Sequence, residues 1–482
     1  MKKEVIKLFF LSLSLSLFFL ILELQFFSEI LTSNSFSINL GFKFLNPSID
    51  MPLFWTNIKY LFIIFSFISK FILLYFILSK ISHKSIKKQS NTITSNKSDL
   101  SLLLGKDSSS DENIFIPEKG LYQNILITGS IGSGKTSSAM YPLTEQLIKY
   151  KSNSPKEKLG MLILDVKGNY CKEIHKYSQM YGRENDLITI ELSGKYSYNP
   201  LQNPSLKPSV IANRLKTILL LFSPNNTESY WIDKSETVLT EAIKLCRLYN
   251  NGYVNFIEIH KLITDYTYYT EKINLLHKSF INNNFSSDQI SDLYSSLNFF
   301  EHEFFSLDSR TKNILKSEIT RITNCFISDS DVIKTFCPEK ENNNFIGFNK
   351  VINSGKIVVL NMNINEFRNL SKIIATYLKL DFQTEVLKRL SNSNTSLHPV
   401  AFISDEYSEY VSATDANFFS QSREAKCINI VSTQSYTSLL NALGNKFSTE
   451  VIIQNLVNKL WFRSDDSYTI ENAQKQLRKK RN

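Results

Sequence analysis

The hydrophobic pattern divides this chain into three regimes. In the first hundred residues apolar side chains come as two long runs, 8–22 and 60–78, and only Lys70 brings a charge into either. A transmembrane helix needs about 20 such residues, and Val5 and Ile6 extend the first run while Lys7 snorkels to the interface. From residue 124 the pattern changes to short apolar runs of strand type that alternate with helical spacing. Strands are expected at 124–128, 159–165 and 187–192. Helices are expected at 137–150, with Met140, Leu143, Leu147 and Ile148 on one face, and at 170–181, 208–222 and 231–249. Between about 253 and 345 no strand precedes a helix, and runs such as 257–263 and 314–322 have helical spacing only. Strand signals resume at 356–361, 400–405, 428–432 and 459–463, with a helix over 372–390 among them. Strands alternating with helices imply an α/β fold with a mainly parallel, doubly wound sheet, here interrupted by an all-helical insertion between its third and fourth strands.

This pattern sets the expected domains: 1–88, a transmembrane hairpin with spans at about 5–22 and 60–78; 89–112, a linker rich in Ser, Asn and Lys; 113–252 and 346–482, two parts of a nucleotide-binding domain; and 253–345, the inserted all-α domain. No small-residue cleavage site follows the first run, where Glu23, Gln25 and Glu29 stand instead, so it is read as a retained anchor. Lys70 would cost roughly 2.5–3.5 kcal/mol at the bilayer centre. Trp55 and Lys59 allow the second helix to slide outward and relieve that cost.

Charge sharpens the picture. The net charge is +10, but residues 1–100 hold 11 Lys against 5 acids and the tail from Lys475 adds 5 basic residues, which leaves about −1 for residues 101–474. Bulk charge therefore gives no argument for nucleic acid. It does give an orientation: lysines precede the first run and follow the second, so both termini are expected in the cytoplasm. The five cysteines are scattered without a C-x-x-C pair, so neither a disulfide framework nor a zinc site is indicated, and a reducing cytoplasm is the expected compartment for the body.

The chemistry is concentrated at Gly129, Ser130, Ile131, Gly132, Ser133, Gly134, Lys135 and Thr136, a G-x-x-x-x-G-K-[ST] stretch with Ser137 opening the helix behind it. Strand, glycine-rich loop and helix follow in the order a phosphate-binding loop requires. Backbone N–H groups and the helix N-terminus would surround phosphate oxygens, Lys135 would reach the β- and γ-phosphates of ATP, and Thr136 would place its hydroxyl on Mg²⁺. Two strands end in a carboxylate suited to complete the metal site. Asp165 closes one, and Asp405-Glu406 closes the other. The second is preferred, because a carboxylate neutralised by the metal is a poor base and only this strand supplies a second one. Asp405 is thus assigned to the metal and Glu406 to activation of water. Gln434, at the tip of the following strand, would orient the water or sense the γ-phosphate. Arg423 is a candidate arginine finger across a subunit interface, in competition with Arg310, Arg321 and Arg463.

Taken with Asp165-Val166-Lys167-Gly168 and Tyr198-Asn199-Pro200-Leu201, these motifs resemble the TraG/TraD family, the coupling-protein ATPases of type IV secretion and conjugation among the FtsK/HerA-type DNA pumps. Val166 and Asn169 stand where the family commonly has Pro and an acidic residue. The resemblance implies a RecA-like P-loop NTPase built as a membrane-anchored homo-hexamer with ATP sites between subunits. It also implies DNA, with a bound relaxase, and the components of a secretion channel as partners. Two other classes fit parts of the pattern. One is a nucleotide-dependent membrane receptor that recruits protein effectors, which would not need Glu406. The other is a chromosome-partitioning translocase, which would be expected to carry a DNA-reading domain after the motor.

Overall fold

In this computed structural model the described residues are 100–477, apart from 166–167, 223–228, 283–284, 364–365 and 392–396. The expected transmembrane hairpin, Val166, Lys167 and the basic tail from Arg478 lie outside them. No helix among the described residues is long and apolar enough to cross a membrane.

The chain enters on an antiparallel hairpin, β1 (Ser101–Lys106) with β2 (Asn113–Pro117), so the stretch expected to be a linker up to residue 112 contains a paired strand from Ser101. Leu100 and Leu102 are buried beneath it, and Gln146 binds both the N–H and the C=O of Leu103. Those apolar residues, which composition alone assigned to a linker, are the anchor of the hairpin.

Seven parallel strands follow: β3 (Ile125–Thr128), β4 (Gly160–Asp165), β5 (Leu187–Ile190), β6 (Ile357–Asn361), β7 (Val400–Ser404), β8 (Cys427–Thr433) and β9 (Asn458–Trp461). Their spatial order is β5-β6-β4-β7-β8-β3-β9, with every pairing parallel. The central strands are apolar and buried along their whole length, as a sheet covered on both faces demands, and the edge strands β5 and β9 are only partly covered. Alternate residues separate the two faces. Ile125, Ile127, Met161, Ile163, Ala401 and Ile403 pack under α1 (Tyr141–Lys149) and α2 (Asn169–Met180). Leu126, Leu162, Leu164, Phe402 and Val431 face the other helical layer.

That second layer contains α3 (Pro208–Leu221) and α4 (Ser229–Tyr249). The insertion proper follows with α5 (Phe256–Thr264), α6 (Tyr266–Asn282), α7 (Ser287–Asn298), α8 (Ser309–Ile327) and α9 (Ser330–Phe336). As expected, this helical stretch separates the third and fourth strands of the sheet. Its aromatic centre, where Phe256 stacks on Phe326 with ring centroids 3.9 Å apart, belongs to the same continuous apolar cluster as the sheet residues Leu164 and Val358. The Tyr198-Asn199-Pro200-Leu201 stretch is the collar of the insertion. The Asn199 amide donates to Val254 O (2.9 Å) just before α5, and Tyr198 N–H donates to Thr335 O (2.8 Å) in α9. The chain returns through α10 (Phe348–Asn353) to β6, then through α11 (Arg368–Lys388) to β7. Next come α12 (Asp415–Gln421), α13 (Tyr436–Leu443), α14 (Lys446–Asn455) and, after β9, α15 (Ser467–Leu477).

Candidate nucleotide site

The glycine-rich loop leaves the carboxyl end of β3, the edge at which parallel sheets bind ligands. Its backbone needs glycine at two points, Gly132 at φ +76° and Gly134 at φ +90°, where a side chain would be strained. Gly129 is required for a different reason: a Cβ there would lie 2.5 Å from Phe462 Cβ and 2.7 Å from Ser133 Oγ. Beyond the loop the helix opens with a π-type turn over Thr136–Met140 before α1 begins. The loop is fastened from the side by β9, since Ser130 donates to Arg463 O through its N–H (2.8 Å) and through its hydroxyl (2.9 Å).

Within this cradle the side chains are arranged for an anion. Lys135 is almost fully buried and its ammonium donates to the loop carbonyls of Gly129 and Ser130. Ser133 Oγ is buried without a hydrogen-bond partner, a donor for which a phosphate oxygen would supply the acceptor. Ser137 Oγ turns back to Gly134 O (3.3 Å), and Ile131, at the apex, is 81 % exposed.

The strand order brings the distant half of the site into place. Because β8 lies between β3 and β7, the tips of those three strands meet beside the loop. Thr136 Oγ1 donates to Asp405 Oδ2 at 3.0 Å, joining residues 269 positions apart. Neighbouring oxygens in an octahedral Mg²⁺ shell are about 2.9 Å apart, so this pair fits two adjacent ligand positions. No group of three or more His, Cys, Asp or Glu among the described residues would hold a metal alone, so phosphate and water would complete the shell. The second Asp405 oxygen accepts from Ser432 Oγ (2.6 Å) and from the Glu406 N–H (3.0 Å).

Glu406 is buried and sits in the left-handed region, at φ +47° and ψ +46°, directly after the strand. Gln434 Nε2 donates to Glu406 Oε2 at 3.3 Å. The loop, Thr136, Asp405, Glu406 and Gln434 are therefore one constellation. The Asp165 carboxylate accepts the Tyr170 N–H (2.8 Å) at the start of α2.

Arg423 lies away from the loop of its own chain, where a residue expected to act across a subunit interface can stand. It is exposed in the turn before β8, at the amino edge of the sheet, roughly 20 Å along a seven-residue strand from the loop of the same chain. The strand β8 runs away from Arg423 toward Gln434, so no side-chain rotation joins them. Three contributors escaped the sequence reading: Ser432, the Arg463 carbonyl and Tyr410, whose hydroxyl donates to Asp405 O (2.6 Å) and accepts from Ser404 Oγ (3.0 Å). Nothing in their local sequence marks them: Ser432 and Arg463 depend on which strands are neighbours, and Tyr410 on how the segment after β7 turns back.

No protein-family model matches the sequence, and no curated protein matches it. Solved structures do match. The bacterial conjugative coupling protein TrwBdeltaN70, in its unbound monoclinic form, aligns with a TM-score of 0.50 at 13% identity over 76% of this chain and 72% of that one. Its trigonal form in complex with sulphate aligns at 0.50 and 13% over 74% and 73%. VirB4 of Thermoanaerobacter pseudethanolicus aligns at 0.46 and 13% over 78% and 87%. At such identity the likeness is one of fold: the chain shares the α/β architecture of the two TrwBdeltaN70 structures.

Proposed function

We propose that this protein is an Mg²⁺-dependent ATPase of type IV secretion or conjugation that couples a DNA–relaxase complex to the secretion channel and drives transfer by hydrolysis. The observation that carries the reading is the 3.0 Å contact between Thr136 and Asp405, with Glu406 and Gln434 adjoining. A phosphate-binding loop alone would only bind nucleotide. Joined to two carboxylates with separate tasks, it has the parts for hydrolysis. Bound Mg²⁺ would supply charge neutralisation at the phosphates. Lys135 would exchange its loop carbonyls for phosphate oxygens, Glu406 would take a proton from the attacking water, and Gln434, already bonded to Glu406, would orient that water.

The transport role rests on the fold shared with TrwB, which is described as a conjugative coupling protein. The membrane anchor rests on the apolar runs 8–22 and 60–78 and their flanking lysines. A homo-hexamer with nucleotide between subunits accords with the exposed Ile131 at the loop apex, which a neighbouring subunit would cover. The test is ATP hydrolysis by the full-length protein in detergent, measured without DNA, with single-stranded DNA and with double-stranded DNA. A rate that rises with DNA is expected. Equal rates under all three conditions would remove the DNA motor and favour a receptor for protein effectors.

A further inference from the structure

Helix α11 carries two buried charge pairs that face different parts of the molecule. Lys379 and Asp381 are two positions apart and so point to different sides of the helix. On one side Lys379 is completely buried and its ammonium meets Asp415 Oδ2 at 2.6 Å, Tyr410 O at 2.6 Å and Ser412 Oγ at 3.1 Å. Asp415 is equally buried and also accepts from Gln383 Nε2 (3.0 Å), Ser412 N–H (3.0 Å) and the Tyr407 hydroxyl. Tyr407 directly follows Glu406, and Tyr410 is bonded to the carbonyl of Asp405. The segment from 405 to 415 is therefore folded over a single ammonium group, with Asp415 Oδ2 on Lys379 and Asp415 Oδ1 on Gln383 of the same helix.

On its other side α11 presents Asp381 and Thr384 to one arginine. Arg214 Nη1 donates to Asp381 Oδ1 (2.9 Å) and Nη2 to Thr384 Oγ1 (2.7 Å). Arg214 belongs to α3. The neighbouring α4 lies against α3 and also against α5, α7 and α8 of the insertion. One helix thus touches the helical layer with one carboxylate and the loop behind Glu406 with one ammonium.

A buried ion pair is weak as a source of stability, since apolar residues of similar volume often serve as well. It does fix geometry. Glu406 needs such fixing, because its left-handed backbone is a conformation that persists only where the surroundings determine it. We infer that Lys379 is a positioning residue for Glu406, and that α11 is the element through which the helical insertion sets the geometry of the hydrolytic carboxylate. This rests on the assignment of Glu406 as the base. Lys379 touches no reacting atom. It acts by clamping Tyr410 and Ser412, and through Asp415 it holds Tyr407.

Three variants of the full-length protein test the inference. The paired change Lys379→Met with Asp415→Leu removes both charges without stranding either. Tyr407→Phe removes one hydroxyl and leaves the pair intact. Arg214→Met removes the side-chain bonds from α3 to Asp381 and Thr384 and leaves the packing of α11 on α8 in place. Each is measured for melting temperature, ADP affinity with Mg²⁺, KM and kcat beside Glu406→Gln. The expected result is a kcat lowered at least tenfold in the paired variant and several-fold in Tyr407→Phe and Arg214→Met, with ADP affinity and KM within twofold of wild type. The double variant Arg214→Met/Tyr407→Phe should fall no further than the worse single one, because both act through the same element.

A folded paired variant that turns over at the wild-type rate would overturn the positioning role. If that variant does not fold, Tyr407→Phe decides in the same way. Losses that multiply in the Arg214→Met/Tyr407→Phe double variant would overturn the link through α11. Wild-type hydrolysis by Glu406→Gln would instead overturn the base assignment itself, so the two failures are distinguishable.

Discussion

At the scale of single residues the site is defined by what each side chain gives up when nucleotide binds. Lys135 donates to the carbonyls of its own loop, bonds that a bound phosphate would replace. Lys135→Ala is expected to abolish ATP hydrolysis and to weaken nucleotide binding by at least tenfold, which equilibrium titration with a fluorescent nucleotide would measure. Gly129→Ala should do the same for a steric reason, since its Cβ meets Phe462 at 2.5 Å, and its melting temperature should fall as well. Much of this was legible in the sequence, because the loop motif needs only local order and Asp405-Glu406 closes a strand. Ser432 and Arg463 were not legible. Ser432 reaches Asp405 only because β8 lies beside β7, and the Arg463 carbonyl reaches Ser130 only because β9 lies beside β3.

At the scale of elements the alternation of apolar runs gave the strands and most helices, while their order across the sheet came from tertiary packing alone. The hairpin of β1 and β2 was missed for a related reason: Leu100 to Leu104 lie amid a Ser- and Asn-rich stretch, and only the partner strand makes them structural. The edge strand β9, which tethers the loop, carries a testable charge. Burial pushes the Lys459 ammonium down to about 8, although the carbonyls of Ile453 (2.9 Å) and Leu456 (2.6 Å) accept from it. A lysine with a lowered folded value costs stability while charged in the fold. That cost is fully present below pH 8 and fades as pH rises toward the ordinary lysine value of about 10.4. Between pH 7.5 and 9.5 the wild-type melting temperature should therefore rise relative to that of Lys459→Met. Parallel curves for the two proteins would refute it.

At the scale of the whole molecule the helical insertion and the sheet share one apolar cluster, so the insertion is expected to unfold with the motor. Phe326→Ala, which empties a fully buried ring position in α8, should destabilise by about 3–5 kcal/mol. It should lower the single transition that melts the sheet, and a separate early transition confined to helical signal would contradict this. A long stretch without strand signals is visible in the sequence pattern, and helices fill it between β5 and β6. The joining of its core to one face of the sheet was not visible, because helical spacing shows that a face is apolar and not what covers it. The reading of the molecule as a motor depends most on Glu406. Its most direct test is steady-state ATP hydrolysis with Mg²⁺ by wild type and Glu406→Gln, at nucleotide concentrations shown by titration to saturate both. Unchanged affinity with turnover lost from the variant is expected, and equal turnover by the two proteins would contradict the assignment.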